Sequence, residues 1–128
     1  MQLDDRLRYN RAILHFSDRR SQVIMNRMRI GHVGLNDYLN RFRMAETEFC
    51  EQLSCLAFDI PETLEHFLLT CPEYYVSREA LKSRLRSLNI FTFDLKTLLL
   101  GFGDSRHSLI IKAVTEYVYA TGRAQGYF

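Results

Sequence analysis

Cys50, Cys55 and Cys71 are the only cysteines in this chain of 128 residues, and with His66 they follow the pattern C-x4-C-x10-H-x4-C. Three thiols and an imidazole are the donor set of a closed tetrahedral Zn²⁺ site, which leaves no open position for a reacting water. A metal held in this way would be structural. Tight knuckles place two residues between their first two thiolates; here "EQLS" places four, which still closes a small loop. His66 and Cys71 are five apart, about 140° around an ideal helix, so regular helical positions cannot aim both at one ion. Pro72 offers a way out, because Cys71 can sit at a frayed helix end turned back toward His66. The same residues also suit an ordinary core, since cysteine is among the most buried residue types and His66 can hydrogen-bond beside it. Spacing leaves both readings open.

The elements around this stretch read as helical. "SLIIKAVTEYVYATG" pairs Leu109 and Ile110, Ala113 and Val114, Tyr117 and Val118 every four residues, the stripe of a helix that stops at Gly122. "PEYYVSREALKSRLRSLN" opens on Pro72 and carries Leu81, Leu85 and Leu88 on one face up to Asn89. Its Arg78, Lys82 and Arg86 recur every four residues as a basic ridge. "RRSQVIMNRMRI" predicts a well-buried helix ending at Gly31, "LNDYLNRF" a short helix after Gly34, "PETLEHFLLT" a helix starting at Pro61, and "DLKTLLLG" a short helix closed by Gly101. "RAILHFS" and "NIFTFD" lack helical spacing and read as extended connections.

Composition bounds the function. With 47% hydrophobic and 25% charged residues, the chain reads as one soluble domain able to bury a core. No apolar run approaches the roughly 20 residues that span a bilayer, and the first residues lack the apolar core of a signal peptide. A cytoplasmic or nuclear setting is the expectation, and an odd cysteine count there disfavours disulfides. The net charge of +2 conceals a segregation. Residues 1–43 hold nine Arg against four Asp, residues 44–75 hold seven acids and no Lys or Arg, and residues 76–128 hold eight basic against four acidic side chains. The Cys/His stretch is an acidic island between basic flanks. That setting raises thiol pKa in the absence of a metal and argues against a Cys/His hydrolase.

Taken in order, "RMRIGHVGLNDYLNRFRM", the cluster with "PETLEHFLLTCPEY", "LLLGF" and "VYATGRAQGYF" resemble the C-terminal tail of reverse transcriptases from non-LTR retrotransposons. Specifically, they resemble the region after the RNase H domain in Tad, I and jockey types. Gly31 and His32 match that family's Gly-His motif, while Glu62, Thr63, Glu65, His66, Cys71 and Pro72 match the end of its CCHC cluster. Val33 displaces the family's next glycine, and the spacings around Cys50 and Cys55 are longer than usual. The resemblance implies zinc on Cys50, Cys55, His66 and Cys71. It further implies a role in engaging template RNA or target DNA, with no polymerase chemistry in this chain.

Three thiolates and Zn²⁺ sum to −1, and the surrounding acids repel phosphate, so the metal site should act as a staple and leave nucleic-acid contacts to the flanks. Those contacts are expected from Arg27, Arg29, Arg41 and Arg43 on one side, and from Arg78, Lys82, Arg84 and Arg86 on the other. His32, Tyr75 and Tyr127 are additional candidates, the tyrosines as stacking platforms. An alternative is a protein interaction module that docks on the RNase H or polymerase portion of a larger protein. Neither reading involves a membrane or a small-molecule substrate. The expected architecture is all-α, about five helices with a zinc-knuckle insertion: 1–18 an N-terminal connection, 19–45 a helical hairpin, 46–72 the knuckle, and 73–128 the C-terminal helices.

Overall fold

The computed structural model describes residues 19–100 and 105–123. The predicted connection at "RAILHFS", the stop at Gly101 and the aromatic Tyr127 lie outside them. Among the described residues the fold is all-α: α1 (Arg19–Ile30), α2 (Asn36–Arg41), α3 (Tyr75–Ser87), α4 (Leu95–Leu100) and α5 (Arg106–Ala120), with a π turn at His66–Thr70 and a 3-10 turn at Pro72–Tyr74. No helix among them is long and apolar enough to cross a membrane.

Helix ends follow from local chemistry. α1 stops where Gly31 takes φ +80°, letting the Gly31 N–H reach the Met28 carbonyl and the His32 N–H reach the Arg27 carbonyl. This paired closure consumes carbonyls that a helix end leaves without partners. α3 closes identically with Asn89 at φ +60°, through Asn89 N–H to Arg86 O and Ile90 N–H to Leu85 O. At α2 the left-handed position falls to Arg43. α4 is capped by Asp94, whose Oδ1 accepts the Thr97 N–H at 2.7 Å, an N-cap that the sequence reading passed over.

The core runs along α5, whose Ile110, Ile111, Val114, Tyr117 and Val118 are all buried. α3 lies against it through Leu81 and Leu85, α1 through Ile24, Met25 and Met28, and α4 through Leu98. Phe67 stacks edge-on against both Tyr74 and Tyr117 and joins this bundle to the Cys/His stretch.

Candidate metal centre

Four short devices bring the four ligands to one point. An isolated bridge between Phe49 and Pro61, flanked by Cys50 N–H to Ile60 O at 2.7 Å and Glu62 N–H to Glu48 O at 2.8 Å, folds the Cys50 segment onto the stretch before His66. Between them a turn closes through Cys55 N–H to Gln52 O and Phe58 N–H to Cys55 O, and Asp59 at φ +48° reverses the chain. The helical segment that follows begins at Leu64, later than Pro61, because Thr63 Oγ1 accepts the His66 N–H at 3.0 Å and so caps it. It then widens into a π turn in which the Cys71 N–H reaches the His66 carbonyl at 2.7 Å. That extra residue in the turn removes the angular mismatch of an H-x4-C pair. Cys71 leaves at ψ +119°, the extended conformation imposed by Pro72.

The donor atoms of Cys50, Cys55, His66 and Cys71 all lie within 4.8 Å of one another, and all four residues are buried. Cys55 Sγ stands 3.8 Å from Cys71 Sγ, Cys50 Sγ stands 4.0 Å from Cys71 Sγ, and Cys55 Sγ stands 3.5 Å from His66 Nε2. The cysteines are free, far from the roughly 2.05 Å of a disulfide. Tetrahedral Zn²⁺, at about 2.3 Å from sulfur and 2.0–2.1 Å from nitrogen, spaces its ligands about 3.8 Å apart for two sulfurs and about 3.5 Å for sulfur and nitrogen. The three separations of 3.5–4.0 Å suit such an ion, and the donor set of three thiols and an imidazole suits its chemistry.

His66 is oriented for the role. Thr70 Oγ1 donates to the His66 carbonyl and faces Nδ1 at 3.1 Å, an arrangement that suits the tautomer with its proton on Nδ1, in which Nε2 is free to ligate beside the thiols. Burial pushes the Cys50, Cys55 and Cys71 thiols up and the His66 imidazolium down, both against the charged forms. A bound divalent ion would supply a cross-link between the four side chains and hold the thiols deprotonated.

Arg78 corrects the sequence reading. It was expected on a surface ridge facing phosphate, but only 4% of it is exposed. Nε donates to Leu68 O, Nη1 to Cys71 O and Nη2 to Phe67 O and Tyr117 Oη, so one guanidinium closes the carbonyl end of the π turn and ties it to α5. Its partners are all neutral: no carboxylate lies at ion-pair distance from it among the described residues. Glu62 and Arg123, by contrast, balance one another. Glu62, 2% exposed, takes Arg123 through both carboxylate oxygens at 2.8 and 3.1 Å, and Arg123 also donates to Tyr74 Oη and Gly34 O. A bound divalent ion with three thiolates would place a net charge of −1 beside Cys71, whose carbonyl Arg78 holds.

The remaining candidates scatter. Arg29 donates to Leu99 O at 2.7 Å, and Arg27 is half-buried on the same helix. Arg41 pairs with Asp37, and Arg84 pairs with Glu116. Arg43 and Arg86 are exposed, and Lys82 lies 5.0 Å over the Phe93 ring while pairing with Glu79 at 3.8 Å. His32 is exposed, with its ring against Tyr38, and Tyr75 is exposed on the first turn of α3. Sequence reading missed Thr70 and Arg123, neither of which carries a spacing signal. No family model, curated protein or solved structure matches this chain.

Proposed function

We propose that this chain is a non-catalytic, zinc-stapled nucleic-acid-binding module, the C-terminal tail of a non-LTR retrotransposon reverse transcriptase that helps engage template RNA or target DNA in the nucleus or cytoplasm. The observation that supports it most is the buried Cys50, Cys55, His66 and Cys71 cluster, whose donor spacings suit tetrahedral Zn²⁺. The charge pattern adds to it, because exposed acids Glu46, Glu51, Asp59, Glu65 and Glu73 share the cluster's segment of the chain, which holds no Lys or Arg, and leave phosphate to Arg43, Lys82 and Arg86 on the flanks.

Elemental analysis of the purified chain, a thermal melt with and without chelator, and a mobility-shift titration with RNA and DNA test both halves. One zinc per chain, a melt lowered by chelation, and binding that weakens with salt are the expected results. Absence of metal with an unchanged melt would remove the staple, and absence of a shift at low salt would remove the nucleic acid.

One observation favours a second reading as a protein interaction module. The turns on either side of Cys55 expose Leu53, Leu56 and Phe58 near Glu51 and Asp59 in sequence, apolar side chains among acids suited to a basic partner such as the parent polymerase. Tight binding to that partner together with weak nucleic-acid binding would select this reading.

A further inference from the structure

After the left-handed closure at Asn89, the chain passes from buried Ile90 to Phe91, 78% exposed, and then to Thr92 and half-buried Phe93. These residues and the last two turns of α3 enclose a cleft lined by Lys82, Leu85, Arg86, Ile90, Phe91, Thr92 and Phe93. Leu85 and Ile90 form its buried floor. Lys82 and Arg86, four residues apart on one helix face, supply two cations. Lys82 is partly neutralised by Glu79 and rests on Phe93, whereas Arg86 has no carboxylate at ion-pair distance among the described residues.

An exposed phenyl ring beside an unpaired guanidinium complements a flat aromatic group that carries an anion. An unstacked nucleobase with its phosphate has both parts, while a paired duplex hides the base faces that Phe91 would stack on. Resting on the nucleic-acid reading above, we infer that this cleft is a single-strand subsite, with Phe91 stacking on one unpaired base while Arg86 and Lys82 hold the adjoining phosphates. The subsite keeps the use of Lys82 and Arg86 anticipated from the sequence, replaces Arg78 with Phe91, and specifies unpaired strand over duplex.

Fluorescence anisotropy of the full, zinc-loaded chain with a labelled 12-mer single strand, and with a duplex of the same length, tests the assignment. Phe91→Ala should weaken single-strand binding about 5- to 150-fold, the range of one base-stacking contact, and leave duplex binding unchanged. Phe91→Tyr should retain the affinity. Arg86→Gln should weaken binding and flatten its salt dependence by about one phosphate contact. Phe91 is exposed, so these variants should keep the wild-type melt, which is measured alongside. Unchanged single-strand affinity in Phe91→Ala, with the wild type still binding, would overturn the subsite and spare the general reading. Failure of the wild type to bind either oligonucleotide would overturn both. Tighter binding of an acidic, tyrosine-rich peptide that is lost in Phe91→Ala would reassign the cleft to protein.

Discussion

Residues 44–74 and the helices α3 and α5 solve the same burial problem with different means. The helical pair covers Leu81, Leu85, Ile110, Val114 and Val118 with one another, so apolar area removed from water holds it together, at about 25 cal/mol per Å². The earlier segment has little regular structure and exposes Leu53, Leu56 and Phe58, yet it buries three thiols, an imidazole, a carboxylate and a guanidinium's carbonyl partners. Polar groups in such a place cost free energy unless each is satisfied. The bundle therefore tolerates a volume-conserving exchange, while the knuckle depends on the chemical identity of each ligand.

Under the metal-site proposal, the sharpest way to break that contrast is to take the ion away. Chelation of the loaded protein, or Cys71→Ser, removes a binding free energy on the order of 10 kcal/mol for structural zinc. Hydrogen exchange should then show the Cys50 and Glu62 amides losing protection while amides within α3 and α5 keep theirs. Uniform loss would merge the two regions into one cooperative unit. Next in size is the seam at Arg78. Arg78→Gln should weaken zinc about 10- to 100-fold in chelator competition, as loss of an outer partner does. Arg78→Lys, which keeps the charge and loses the fork, should weaken it less. Equal losses would reduce Arg78 to a hydrogen-bonding plug.

The smallest effect belongs to the bundle side. Asp94→Ala should cost about 1 kcal/mol in a melt, as a lost N-cap does. The Thr97 backbone N–H and hydroxyl hold the Asp94 carboxyl below its ordinary value of 3.8. Its contribution is therefore complete above pH 3.8 and is lost as pH falls through the lowered folded value, because the unfolded chain takes up the proton first. The gap between wild type and variant should close on acidification. A constant gap would show that the charge plays no part.

Much of the bundle was legible because its signals are periodic: the α5 stripe, the stops at Gly31, Asn89 and Gly122, and the short helix at Asn36 all rest on local rules. The convergence of Cys50, Cys55, His66 and Cys71 was legible as a donor set but not as a geometry, since a π turn between His66 and Cys71 has no spacing signature. Arg78 was misread although a signal existed. Arg78, Leu81 and Leu85 stand at i, i+3 and i+7, so the arginine occupies a place on the buried stripe. Its i, i+4, i+8 spacing with Lys82 and Arg86 also fits an exposed basic ridge, so the two patterns overlap at this position. Glu62 and Arg123 meet across 61 residues, a pairing that only the tertiary fold creates.

The close sequence spacing of the four ligands also sets an order of assembly. Cys50 and Cys71 are 21 residues apart, and short loops close at low entropic cost. All four ligands, and Arg78 after them, are synthesised before the helix that supplies Tyr117. Under the metal-site proposal, a nascent chain that binds an ion there can therefore close this segment first and present Phe67 as a ready surface. α5, arriving last, docks on it with Tyr117 donating to the Phe67 carbonyl at 2.5 Å.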